Sequence, residues 1–203
     1  MVTLKLQDGS AVELQHPTPL GEALARTTLD TRGVVAGRIV TADGQSRVID
    51  LVTPIDRDAR LVRLVRSELD DADGLEILRH SAAHVMAQAI LSIWPTAKLV
   101  YGPAVADGFY YDIDLDSPIS PEDFPRIESA MKEIINARLP FVRYAMPREA
   151  AMTKLSAEGN RYKIDNAARA EGDLSFYTIG APGENGVFED LCRGPHMPHT
   201  GWV

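Results

Sequence analysis

Two short clusters carry most of the chemistry this sequence can offer. His80-Ser-Ala-Ala-His84 places two imidazoles four residues apart, a spacing that shares one face if the segment is helical. Cys192-Arg-Gly-Pro-His196 repeats the offset 108 residues further on. The two clusters hold three of the five histidines and the only cysteine. Three ring nitrogens and one sulfur suit a tetrahedral zinc ion. The same residues also fit two core histidines beside an inert buried thiol, and either histidine alone favours that plainer reading.

The composition frames this as a soluble globular chain of 203 residues, 45% apolar and 25% charged. No apolar run approaches the ~18 to 20 residues of a membrane span. The segment MVTLKLQDGS lacks the basic-then-apolar pattern of a secretory signal. A lone cysteine forbids an internal disulfide, so a cytoplasmic protein is the simplest expectation. The net charge of −8 excludes a broadly basic, nucleic-acid-coating surface. Residues 1–62 carry 7 basic and 8 acidic side chains, residues 63–203 carry 14 and 21. Any RNA contact is therefore expected to be local or to lie outside this chain.

The elements that must position the clusters follow from pattern. Residues 3–6 and 11–14 alternate like strands around Asp8-Gly9, and 34–40 and 47–52 do so around Asp43-Gly44. Thr18 is expected to cap a short helix through about Thr28. Strand pair, helix, strand pair predicts a small ubiquitin-like β-grasp over 1–62. Its only histidine, His16, reads as an exposed turn residue. The charged stretch 57–73 reads as a boundary. A long helix is predicted next, capped by Asp73 with Glu76 at the capping-box position and stopped by Pro95. Residues 98–105 and 108–115 form a predicted hairpin around Asp107-Gly108. Helices at 120–138 and 148–157 and strands at 141–146, 174–179 and 187–192 complete an α+β second domain over 63–203, a central helix on antiparallel strands.

The order of motifs carries a resemblance. His80-x-x-x-His84, Gly102-Pro103, Asp107-Gly-Phe-Tyr-Tyr-Asp112, Tyr162-Lys163 and Asp190-Leu-Cys-Arg-Gly-Pro-His196 are similar to the editing domain of bacterial-type threonyl-tRNA synthetases, which is related to alanyl-tRNA editing domains. Residues 1–62 resemble the TGS domain that precedes it in that family. The resemblance spans essentially the whole chain. It implies that His80, His84, Lys163, Cys192 and His196 form the catalytic pocket and that Tyr111 and Asp190 contact substrate. Alternation puts only one of Tyr110 and Tyr111 on the pocket side, and the match favours Tyr111. In the family the sequence continues past Val203 into more editing-domain sequence and then a synthetic core. ATP and a further zinc are implied for that core, and this chain shows no candidate ATP or threonine site.

The implied substrate is serine esterified to the acceptor end of threonine tRNA, read as a seryl-adenosine moiety. Threonine exceeds serine by one methyl, and a methylene-sized difference gives only ~10- to 200-fold discrimination in a single pocket. A second, smaller pocket that hydrolyses seryl-tRNA closes the gap. Ester hydrolysis needs a positioned water, a group to orient or deprotonate it, and stabilisation of the oxyanion. His80 is assigned the water, and Lys163 the developing charge or the terminal ribose. The resemblance implies a metal-free site and a homodimeric parent enzyme. Zinc held by His80, His84, Cys192 and His196, as in alanyl-type domains, is the alternative, and a non-catalytic tRNA-binding module is the third reading.

Overall fold

Gly9 and Gly44 adopt positive φ angles of 87° and 82°, which turns the two Asp-Gly pairs into tight reversals. Their flanks pair accordingly in the computed structural model, which describes residues 1–68, 70–184 and 187–203. β1 (Val2–Lys5) pairs antiparallel with β2 (Ala11–Leu14), after which come β3 (Thr18–Pro19) and helix α1 (Leu20–Leu24). β4 (Val34–Thr41) pairs antiparallel with β5 (Ser46–Asp50). β6 (Pro54–Ile55) pairs with β3, and β7 (Ala59–Arg66) inserts between β1 and β4. The five-stranded order β2-β1-β7-β4-β5 is mixed, because β7 runs parallel to β1 and antiparallel to β4. Leu4, Leu14, Leu20, Ile39 and Leu61 are at most 1% exposed and form the centre of this core.

The chain divides into two compact units. One contains Met1–Leu78 with Gly194–Pro198, the other Arg79–Arg193 with His199–Val203. Nearly half of the charged stretch 57–73 is β7, and a division at residue 62 falls inside that strand. One of its arginines is paired with carboxylates. Arg63 donates to Asp71 at 2.7 Å and to Asp73 at 2.6 Å, and Arg38 donates to Asp73 at 2.7 Å. The same pairing corrects the helix start. In α2 (Ala72–Ile93) the carboxylate of Asp71, not Asp73, accepts from the backbone N–H groups of Asp73 and Gly74 at 3.1 and 3.2 Å. Thr18 caps nothing, since its hydroxyl donates to the His16 carbonyl and α1 has no side-chain cap. His16 is exposed, as read.

In the second unit α2 packs on α3 (Phe124–Ala137) through Ala89, Ile90 and Ile127. The predicted hairpin is interrupted at Gly102-Pro103. β8 (Lys98–Tyr101) pairs with β11 (Asp112–Asp114), and β9 (Ala104–Val105) with β10 (Gly108–Phe109). β12 (Phe141–Met146), β13 (Leu174–Ile179) and β14 (Phe188–Leu191) form an antiparallel sheet in that order. Helices α4 (Arg148–Glu158) and α5 (Arg161–Arg169) cover one face through Leu155, Ala167 and Phe176. α5 is absent from the sequence-based reading. The architecture is α+β, and no helix among the described residues is long and apolar enough to cross a membrane.

Asp71 caps α2 and neutralises Arg63 together, so Asp71→Asn should cost roughly 1–2 kcal/mol, the scale of a lost cap. The Arg63 hydrogen bond holds the Asp71 carboxyl well below the usual carboxylate range despite its burial. A depressed folded pKa gives stability that is complete above the unfolded value of ~3.9 and fades as pH falls through the folded one. Urea melts should therefore show a shallower stability loss from pH 5 to pH 3 in Asp71→Asn than in the unsubstituted chain.

Candidate active site

Strand alternation decides which side chains of β14 can meet α2. Phe188 and Asp190 point to one face, Glu189 and Leu191 to the other. Asp190 opposes the fully buried Tyr177 across the ladder. On the α2 side, His80 and His84 sit one helical turn apart with ring centroids 5.1 Å apart in an edge-to-face arrangement. His84 packs edge-on against Phe188 at 5.4 Å, and its Nε2 lies 3.8 Å from Asp190 Oδ2. Cys192, just past β14, brings Sγ to 3.3 Å from His80 Nε2. Its position is fixed by backbone pairing to Ser175, whose hydroxyl also donates to the Cys192 carbonyl at 2.6 Å.

Asp190 is the hub. Tyr111 donates its hydroxyl to Oδ2 in a short hydrogen bond, and Lys163 Nζ lies 3.2 Å from Oδ1. Lys163 also donates to the Glu189 carbonyl at 3.0 Å. Helix α5 aims this lysine. Asn160 caps it by accepting from the N–H groups of Tyr162 and Lys163, and donates its own amide to the Leu99 carbonyl at 3.0 Å. At the other end Arg148 donates to the carbonyls of Ala167 and Ala168 at 2.9 and 2.8 Å. Tyr110 is 45% exposed, so of the adjacent pair it is Tyr111 that enters the site. Gly102 explains the break in the hairpin: a Cβ there would stand 2.3 Å from the Tyr111 ring.

The environment sets the protonation states. Burial drives His84 down to about 3, outweighing the attraction of Asp190, so its imidazole is neutral at physiological pH. Burial raises the Asp190 carboxyl, but Lys163, His84 and the Tyr111 hydroxyl together hold it below its usual value. Burial and the Asp190 charge push the Tyr111 phenol far up, so it stays a donor. The result is a neutral imidazole, an ionised carboxylate with two donors, and a thiol–imidazole contact, all within one unit.

Six of the seven predicted residues thus come together in the second unit: His80, His84, Tyr111, Lys163, Asp190 and Cys192. The seventh, His196, lies in the Gly194–Pro198 segment counted with the first unit, where it is 1% exposed and donates its backbone N–H to Asp50 Oδ2 at 2.9 Å. Asp50 and Asn160 went unnoticed in the sequence. Asn160 was detectable as a helix cap, whereas nothing near Asp50 signals a partner 146 residues away. His199, given no role, accepts from the Trp202 indole at 2.8 Å.

No protein-family model matches the chain. Threonine–tRNA ligases do. That of Desulfatibacillum aliphaticivorans is 44% identical over 206 aligned positions, covering 100% of this chain. That of Desulfosudis oleivorans is 43% identical over the same span, and that of Methylococcus capsulatus 41% over 99% of the chain. Along its whole length, the chain is homologous to threonine–tRNA ligases. It spans about 30% of the length of these relatives.

Gly102→Ala should destabilise the protein by about 1–3 kcal/mol, as overpacking does. In a double-mutant cycle with Tyr111→Ala the penalty should largely vanish, because the ring it collides with is gone. Equal penalties in both backgrounds, read from thermal melts, would sever the link between Gly102 and Tyr111.

Proposed function

We propose that this chain is the N-terminal, editing part of a threonine–tRNA ligase, a TGS-like β-grasp domain that carries the five-stranded sheet with β7 at its centre, followed by the editing domain. Its reaction is hydrolysis of the ester in seryl-tRNA of threonine specificity. The observation that carries the reading is the Asp190 hub, with Tyr111, Lys163 and His84 gathered around one buried carboxylate beside the His80–Cys192 contact. The homology to threonine–tRNA ligases supports the same conclusion. The synthetic core, a tRNA acceptor end and a homodimeric parent enzyme are the partners this reading brings with it.

In this mechanism His80 orients and deprotonates the attacking water, the role of a positioned general base. Cys192 shapes the pocket wall beside it. Lys163 and the Tyr111–Asp190 pair hold the terminal ribose, and Lys163 offsets negative charge as the tetrahedral oxyanion forms. His84, neutral through burial, is a hydrogen-bonding wall and carries no catalytic proton.

The chain should hydrolyse seryl-tRNA of threonine specificity and spare threonyl-tRNA. His80→Ala should lower the rate by roughly 10²- to 10⁴-fold, the contribution of a positioned acid–base group. Single-turnover deacylation measures both, and equal hydrolysis of the two substrates would defeat the sieve.

A second reading is favoured by one observation: donor atoms of His80, His84 and Cys192 lie within 4.8 Å of one another. Bonds of ~2.0 to 2.3 Å to a shared zinc fit such spacing. A bound zinc would lower the pKa of a water. On the metal-free reading, elemental analysis should find well under one zinc per chain and chelator should leave deacylation intact. One zinc per chain, with activity lost to chelator and restored by zinc, would transfer the reaction to metal-assisted hydrolysis.

A further inference from the structure

We propose that Tyr101 and Tyr110 form a stacking surface at the rim of the editing site, which takes the base of the unpaired nucleotide preceding the terminal adenosine of the acceptor end. This rests on the editing reading and extends its substrate by one nucleotide.

Large apolar side chains left in water are ordinary when scattered and informative when grouped. Among the described residues the most exposed are Met1, which opens the chain, Phe124, which opens α3, and a group of three from one short segment. That group is Tyr101, Val105 and Tyr110, with Tyr101 58% and Val105 43% exposed. Tyrosine suits a wet contact, having a flat apolar ring and a polar tip. The two tyrosines flank the junction of two small ladders. Tyr101 ends β8 opposite Asp112 of β11. Tyr110 follows β10, its N–H directed at the Pro103 carbonyl 3.5 Å away. From α2, Arg79 secures the β9–β10 hairpin by donating to the carbonyls of Val105 and Ala106 at 3.2 and 2.6 Å. A surface held in this way loses little freedom when a ring lands on it.

The same junction borders the site. Gly102 follows Tyr101 directly, and its lack of a side chain admits the Tyr111 ring. Tyr111 follows Tyr110 and reaches Asp190. One tyrosine of the adjacent pair is therefore inside and its neighbour outside. A ribose held by Tyr111 and Lys163 brings its 5′-linked neighbour to this rim. Charge favours the base, not the phosphate, as the part to be held. Residues 63–203 carry 21 acidic against 14 basic side chains, which disfavours a long row of phosphate contacts. The exposed Asp112 opposite Tyr101 repels a phosphate further. Stacking on an aromatic ring needs no positive charge and accepts any base.

Kinetics on two substrates isolates the added nucleotide: seryl-tRNA, and serine esterified to adenosine alone. Tyr101→Ala and Tyr110→Ala should each lower the ratio of kcat/KM for seryl-tRNA to that for seryl-adenosine by about 5- to 150-fold, the contribution of a stacked base. The change should lie mostly in KM. Tyr101→Phe should keep the parental ratio, since the ring and not the hydroxyl makes the contact. An unchanged ratio in either alanine variant would overturn the proposal while leaving the editing reading intact. A parent chain that is dimeric and a Tyr101→Ala variant that is monomeric with the parental ratio would assign the patch to a second copy instead. If the unsubstituted chain hydrolyses neither substrate, the editing reading fails by itself, and binding still tests the surface. On titration with the trinucleotide cytidylyl-cytidylyl-adenosine, the ring protons of Tyr101 and Tyr110 should move upfield under the stacked base. Rings that keep their free positions would overturn the proposal whatever the activity.

Discussion

A carboxylate taken out of water must be met by donors in fixed directions, and Asp190 imposes that demand on the second unit. It is met from separate parts of the chain, by Tyr111 from the segment between β10 and β11 and Lys163 from α5, with the His84 ring of α2 3.8 Å away. Each arrives through its own device. Gly102 leaves room for the Tyr111 ring, Asn160 starts α5 so that Lys163 faces inward, and Arg148 gathers the carbonyls at the other end of α5. Removing any one partner leaves a charge in a poor environment, so the cluster stands or falls as a unit.

The β12–β14 sheet separates the site from its support. Asp190 and Phe188 look toward α2, while Glu189, one residue along, looks the other way, accepts from Tyr144 at 2.5 Å and pairs with Lys154 at 2.5 Å. The side chains of adjacent residues on one edge strand therefore serve opposite ends. One shapes chemistry and the other pins the strand to the layer of α4. The Glu189 carbonyl joins the two by receiving Lys163.

The histidine pair was legible from the sequence because its signal is local, whereas Tyr111, Lys163 and Asp190 were carried by the resemblance. The i, i+4 histidines demand only that 80–84 be helical, whereas the choice of Tyr111 over Tyr110 came from the resemblance, since neither lies in a strand. The strands at 141–146 and 174–179 have their predicted bounds, since apolar runs between turn residues leave little freedom. What escaped was non-local. β7 looked like a domain boundary because one of its arginines, Arg63, finds its carboxylates at Asp71 and Asp73 only in three dimensions. α5 is short and strongly polar, with only Ala167 buried, so few apolar residues mark it as a packed helix. Asp50 is invisible for the same reason: its partner is 146 residues away.

The make-up of the first unit has a consequence for biosynthesis. Its central strand, β7, is the last of its five sheet strands to be made, and the segment 194–198 that belongs to it comes more than a hundred residues later. Non-local closure of this kind slows folding, because loop entropy is lost before contacts repay it. On a ribosome the sheet can assemble once residue 66 has emerged, yet the Asp50 carboxylate waits for its long-range donor until residue 196 has been made. The first unit is thus completed only after most of the second has been made.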